Sequence, residues 1–228
     1  MALIPQLGLF NGVLVLLLII AYAFRRSINK IFLGLSLFFV WYSLLITYLN
    51  ITGGILEYPH LQRTGLVAAY LAFPFLFIYS RNTFYPGKLW RAYDWILLLP
   101  ALIYVVDLMP FFLLSAEEKN VIWRGNLANS QKMFLASEGW LGLGGFHFAF
   151  AYIWIAIIMY FQVRLILRNW NLDSGFKTPH NQRLLYFIAM ITILYLPLFV
   201  PGIFGVLWKR FWFNPTFIAF TYGLSLSA

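Results

Sequence analysis

Residues 94–119 read DWILLLPALIYVVDLMPFFLLSAEEK. Between Asp94 and Ser115 nearly every side chain is apolar, yet Asp107 sits inside the run. About 20 mainly apolar residues carry a helix across a bilayer, so the stretch predicts a membrane span. A carboxylate inside such a span asks for a partner or a polar interior, because ionisable groups are costly in lipid.

The rest of the chain agrees on the solvent. Of the 228 residues 62% are hydrophobic and only 10% charged, whereas a soluble domain carries about 25% charged residues. A water-facing surface cannot be assembled from that inventory, and the lipid bilayer becomes the first predicted partner. Aromatic residues reach 21% and crowd the ends of the apolar runs, as interfacial anchors do. Cysteine is absent, which excludes disulfides, zinc–thiolate sites, iron–sulfur clusters and thiol nucleophiles. The net charge of +9 is read as the Lys and Arg bias near cytoplasmic span ends. With no basic run, phosphate loop or helix-turn-helix pattern, this segment predicts no direct nucleic-acid contact.

Seven apolar segments approach spanning length: 3–24, 31–50, 65–80, 95–114, 140–163, 184–200 and 211–228. They predict an all-α integral membrane protein, one seven-transmembrane helix bundle over residues 1–228 with its N-terminus outside and its C-terminus cytoplasmic. That orientation puts ten basic residues inside (Arg25, Arg26, Lys30, Arg81, Lys88, Arg91, Arg164, Arg168, Lys177 and Arg183). It leaves six outside (Arg63, Lys119, Arg124, Lys132, Lys209 and Arg210). A multi-pass protein of the inner (cytoplasmic) membrane follows. The AYA of Ala21–Ala23 resembles a signal-peptidase site, but no charge precedes Arg25, so the first segment is read as a retained span. The last segment is still apolar at Ala228, and further chain is expected beyond it.

Two connections stand out. Ser115–Glu138 is the longest polar stretch and predicts a short interfacial helix or cap; NWNLDSGFKTPHN at 169–181 carries loop punctuation. Counted from the span ends, Asp107 and His147 each fall seven residues from the outer boundary, about 10 Å deep. Asn11, Tyr48, Tyr70, Tyr195 and Thr221 fall near the same layer. Together they predict an outward-facing polar chamber able to take a ligand, with Gly142, Gly144 and Gly145 permitting close approach and Glu57 and His60 as a weaker outer mouth. The plainer alternative makes Asp107 a hydrogen-bonded structural residue near Pro110 and His147 a packing residue. Asp94, beside Lys88 and Arg91, predicts a surface ion pair.

Catalysis is disfavoured. No lysine lies between Phe211 and Ala228 for a retinal Schiff base, His60, His147 and His180 are scattered, and hydrolase and phosphate-binding motifs are missing. No cofactor and no metal site are expected. The prolines Pro74, Pro100, Pro110, Pro197 and Pro201 leave a transporter open, although no inverted repeat is visible.

EYPHL at 57–61, FPFLFIYSR at 73–81, the run from DWILLLP to LMPFFLLSAEEK, and HNQRLLYF at 180–187 together resemble the N-terminal seven-helix region of membrane-bound AraC-type helix-turn-helix regulators of Bacteroidota. Phe73 stands where that group has a glycine before its proline. The resemblance implies a sensor that receives an external signal and passes it to a cytoplasmic DNA-binding domain not contained in this chain. The expected function is therefore a membrane receptor for a small or lipophilic ligand, with a small transporter or a purely structural anchor as alternatives and a homodimer left open.

Overall fold

The computed structural model describes residues 29–128, 138–141 and 146–171, together with 182–183, 185–186 and 188–189. In chain order the helices are α1 (Lys30–Thr52), α2 (Thr64–Phe84), α3 (Asp94–Asp107), α4 (Met109–Phe112), α5 (Ala116–Ala128) and α6 (Phe146–Asn171), with 3-10 turns at Gly54–Glu57 and Pro59–Leu61. No strand occurs among the described residues. Three stretches, Lys30–Asn50, Thr64–Phe84 and Ala149–Asn169, are long and apolar enough to cross a membrane. The expected spans 3–24 and 211–228, most of 184–200, and the connection beyond Asn171 lie outside the described residues.

Exposed faces show which solvent these helices fit. On α3 the exposed residues are Trp95, Ile96, Leu99, Leu102, Ile103 and Val106, while Pro100, Ala101, Tyr104 and Asp107 are buried. On α6, Ile153, Ile157, Tyr160, Phe161 and Leu167 are exposed. Contiguous apolar stripes facing outward reverse the pattern of a water-soluble surface helix and fit helices meeting lipid. Hydroxyls along the long helices find acceptors, as lipid demands. Ser36 Oγ donates to the Ala72 carbonyl at 2.7 Å, Tyr42 and Thr64 share a 2.8 Å hydrogen bond, and Thr47 Oγ1 donates to the Ser43 carbonyl at 2.8 Å. Helix α2 is the most enclosed, with 56% of its stretch buried against 29% for α1 and 33% for α6.

The chain forms two compact units. One comprises Ser36–Pro74 and Arg91–Trp154. Its apolar core sets Tyr70 of α2 against Ala101, Tyr104 and Leu108 and against Ala151 of α6; a second cluster joins Ile55, Phe111 and Trp123. The other comprises Met1–Leu35, Phe75–Trp90 and Ile155–Ala228. There Gln162 Nε2 donates to Ser80 Oγ at 2.7 Å, Asn82 Nδ2 donates to the Leu89 carbonyl at 2.8 Å, and Phe32 stacks on Phe75 and Trp90.

Several expected boundaries move, each for a physical reason. The 95–114 segment is not one helix: α3 ends at Asp107 and α4 begins at Met109. Pro110 has no N–H to donate and its ring crowds the carbonyl four residues back, which favours a kink or a break; α2 and α3 run on through Pro74 and Pro100, whereas the chain breaks before Pro110. In the fifth segment Trp140 and Leu141 are not helical, and their N–H groups bond to Asp107; the described helix covers Phe146–Asn171. Arg164 and Arg168 end an apolar count without ending a hydrogen-bond ladder. Asp94 is fully buried rather than a surface residue, and its Oδ2 accepts the Arg91 backbone N–H at 2.7 Å, placing a carboxylate at the positive end of α3.

The polar stretch after Ser115 is indeed helical, as α5. Ser115 and Glu118 form a capping box: Ser115 N and Oγ donate to Glu118 Oε2 at 2.9 and 2.7 Å, and Glu118 N donates to Ser115 Oγ at 3.3 Å. Hydrogen bonds from the Ser115 hydroxyl and then its backbone N–H hold the Glu118 carboxyl below its ordinary value of 4.5. Because the folded-state value is the lower one, the ionised carboxylate stabilises α5 fully above that ordinary value, and the contribution is lost as pH falls through the depressed one. Amide protection of α5, corrected for intrinsic exchange, is expected to fall in wild type as pH drops below the ordinary carboxyl value of 4.5 and to be flat in Glu118→Gln. Equal pH dependence in both proteins would remove Glu118 as the cause.

Candidate functional site

The end of α1, the two 3-10 turns, α5 and residues 138–141 gather around the ends of α3 and α6 in one unit. The chain leaves α1 through Gly53, whose φ of +78° suits a residue without a Cβ. It enters α2 through Arg63, which holds φ +67°. For a residue with a Cβ this left-handed conformation costs about 1–2 kcal/mol, so its surroundings must hold it there.

They do so from several sides. Arg63 Nε and Nη2 donate to Glu138 Oε2 and Oε1 at 2.6 and 2.8 Å, a bidentate pair with both side chains more than nine-tenths buried. The guanidinium lies 4.9 Å from the Trp123 ring centre, and the Arg63 carbonyl accepts the Tyr104 hydroxyl at 2.9 Å. Asn126 Nδ2 adds a 3.1 Å bond to Glu138 Oε1, and Trp123 Nε1 donates to Asn50 Oδ1 at 2.9 Å.

Asp107 and His147 meet beside this pair. His147 Nε2 lies 2.6 Å from Asp107 Oδ2, while Asp107 Oδ1 accepts the Leu141 N–H at 2.8 Å and the Asp107 carbonyl accepts the Trp140 N–H at 3.2 Å. The Tyr104 ring stands edge-on to the imidazole, 4.8 Å between centres and 87° between planes. Tyr70 donates its hydroxyl to the His147 carbonyl at 2.8 Å. Asp107 thus closes α3 and His147 opens α6, which explains a carboxylate in an apolar run: it sits at a helix break where backbone donors and an imidazole satisfy it.

A Cβ at Gly139 would stand 2.7 Å from Asp107 Cγ and 2.9 Å from its carbonyl oxygen, so Gly139 is the residue that lets the 138–141 strap lie on Asp107. Among the described residues both Asp107 carboxylate oxygens are engaged, forming a latch; the chamber expected from the depth count also draws on Asn11, Tyr195 and Thr221, which lie outside the described residues.

Tyr70 is the one further member of the expected polar layer seen at the latch. Tyr48 is half-buried one turn before the end of α1, where its carbonyl accepts the Thr52 hydroxyl. Asn11, Tyr195 and Thr221, with Gly142, Gly144 and Gly145, lie outside the described residues. Glu57 is exposed; His60 is exposed too, yet its Nδ1 lies 3.1 Å from Lys119 Nζ. Lys119 is buried and donates to the Phe112 carbonyl at 2.8 Å, and loss of hydration lowers its pKa. Among the described residues no group of three or more His, Asp or Glu is placed to hold a metal ion.

Arg63, Glu138, Tyr104 and Gly139 escape a reading by span length. Arg63 and Glu138 enter it only as loop charges, and 75 residues separate them, so no local pattern links them. A readable signal existed for α5 alone, the Ser-x-x-Glu of 115–118. No family model, no curated protein and no solved structure matches this chain.

Proposed function

We propose that the chain is a seven-helix sensor of the inner membrane, N-terminus outside and C-terminus cytoplasmic, whose Asp107–His147 latch is opened by a small or lipophilic signal. The observation that carries the reading is the partly buried carboxylate–imidazole contact at 2.6 Å joining the end of α3 to α6. A structural tie between two helices needs no ionisable pair, whereas a pair whose members are ionisable or strongly hydrogen-bonding can be contested by a ligand carrying its own donor or acceptor. Helix α6 runs unbroken from the latch to Asn171, so a shift in its first turn has a rigid element to travel along. The ligand acts only through a difference in affinity between the closed and open packings. The output in this reading is a cytoplasmic DNA-binding domain of the AraC type, in line with the motifs at 57–61, 73–81 and 180–187.

The test is thermal unfolding of the purified protein against a library of small molecules and lipids, in wild type, Asp107→Ala and Asp107→Asn. A true ligand at 100 times its Kd stabilises by about 2.7 kcal/mol, and that stabilisation is expected to vanish in both variants. A ligand that protects all three proteins equally would move the site away from Asp107. Net flux of that ligand in proteoliposomes would make the protein a transporter instead.

A further inference from the structure

In the unit that contains Phe75–Trp90 and Ile155–Ala228, a groove of about 870 Å³ runs between α2 and α6, lined by Phe77, Tyr85, Tyr160, Phe161, Arg164 and Arg168 among others. Tyr160, Arg164 and Arg168 succeed one another at four-residue spacing on α6, which puts them on one stripe of the helix. Both arginines are exposed and fall in the last two turns of the Ala149–Asn169 apolar stretch. A span end is where the headgroup layer meets the helix, whichever way the span points.

The groove's chemistry is divided. Its Phe77, Tyr160, Phe161 and Val163 side offers apolar surface, and Arg164 and Arg168 offer two guanidinium groups, with no Asp or Glu among the described residues of the lining. Among the described residues Arg164 has no hydrogen-bond or ion-pair partner. Arg168 lies 5.9 Å from the Tyr85 ring centre, a cation–π contact, and has no hydrogen-bond or ion-pair partner among the described residues. Two guanidinium forks one helical turn apart suit a phosphate group, which accepts bidentate hydrogen bonds from Arg. A zwitterionic choline headgroup fits less well: its ammonium would approach two fixed positive charges, and the Tyr85 ring that would receive it is already met by Arg168.

We infer that this groove is a binding site for an anionic phospholipid, with the phosphate held by Arg164 and Arg168 and an acyl chain lying against Phe77, Tyr160 and Phe161. The inference rests on the membrane reading but not on the latch, since no residue of the site touches Asp107 or His147.

The experiment uses the full chain in phosphatidylcholine nanodiscs, into which phosphatidylglycerol is titrated. Thermal stability and the amount of lipid retained on extraction into detergent are read for wild type, Arg164→Gln/Arg168→Gln and Arg164→Lys/Arg168→Lys. Both arginines are exposed, so the variants are expected to fold, and circular dichroism checks that they do. Wild type is expected to retain phosphatidylglycerol over phosphatidylcholine, the Gln pair to weaken that retention about tenfold or more, and the Lys pair to fall between them. Equal retention of the two lipids, or undiminished phosphatidylglycerol retention by the Gln pair, would overturn the site. Protection by soluble glycerol phosphate as strong as that by phosphatidylglycerol would replace the lipid with a free phosphate. Failure of the chain to float with phosphatidylcholine vesicles would sink the membrane reading itself, and this site with it.

Discussion

Glu138→Leu is expected to destabilise the protein by about 3–5 kcal/mol, the cost of stripping a buried ion of its counter-ion. The Arg63 guanidinium makes two bonds of 2.6 and 2.8 Å to the Glu138 carboxylate where each side chain is less than a tenth exposed. Without that carboxylate its charge remains in a site built for a pair, and the left-handed Arg63 backbone loses one of the contacts that hold it. The loss spreads in two directions. Asn126 Nδ2 gives up its acceptor, and the Tyr104 hydroxyl loses the fixed Arg63 carbonyl it donates to. Arg63→Met alone is expected to cost a similar amount by leaving the carboxylate unpaired. Arg63→Met with Glu138→Leu should cost clearly less than either single change, because replacing both members of a buried pair by apolar side chains is often near neutral. Thermal or denaturant unfolding in detergent of all four proteins closes the cycle. A single-variant loss under about 1 kcal/mol, the range of exposed pairs, would mean that water reaches the pair.

That pair also marks where a reading from sequence stops. Span length and hydrophobicity place α1 and α2 within a few residues, because an apolar run of about 20 residues has few other solutions in lipid. They place the cap after Ser115 for the opposite reason: a polar stretch between apolar runs must find water or partners. They do not place the break at Leu108, although Pro110 is visible, since a proline is compatible with both a kinked and a broken helix. Nor do they find the start of α6. Trp140 and Leu141 are apolar enough to be counted into a span, but their N–H groups are spent on Asp107. Asp107 and His147 are legible as candidates because a charge in an apolar run is conspicuous. That they touch, and that Arg63 and Glu138 form a second buried pair beside them, depends on long-range packing that leaves no periodic trace. Asp94 shows the same limit from the other side: a carboxylate among basic residues reads as a surface group, while the folded chain buries it at a helix start, where it receives the Arg91 backbone N–H.

Gly139 offers the sharpest test of the latch itself. Asp107→Ala is expected to cost about 1–3 kcal/mol, since it leaves the partly buried Leu141 N–H and His147 ring without the carboxylate at 2.8 and 2.6 Å. Gly139→Ala in the wild-type background is expected to cost about 1–3 kcal/mol as an overpacking change, because the new Cβ meets the Asp107 side chain. The two costs should not add. Once Asp107 is Ala, the carboxyl group that the Gly139→Ala methyl would strike is gone, and only the residue-107 carbonyl, 2.9 Å from the ideal Cβ position, still resists it. The double variant is therefore expected to be more stable than the sum of the single changes predicts by about 1 kcal/mol, within the range measured for residues in direct contact. Additivity would mean that the strap does not lie on Asp107. The same substitution separates a latch from a plain structural tie. If closure of the strap over Asp107 and His147 is the resting state, Gly139→Ala pushes that state open without any ligand. Under the proposed sensor function, the output of this chain fused to a reporter domain should then shift in the direction that ligand drives it, whereas a tie with no signalling role would show lowered stability and unaltered basal output.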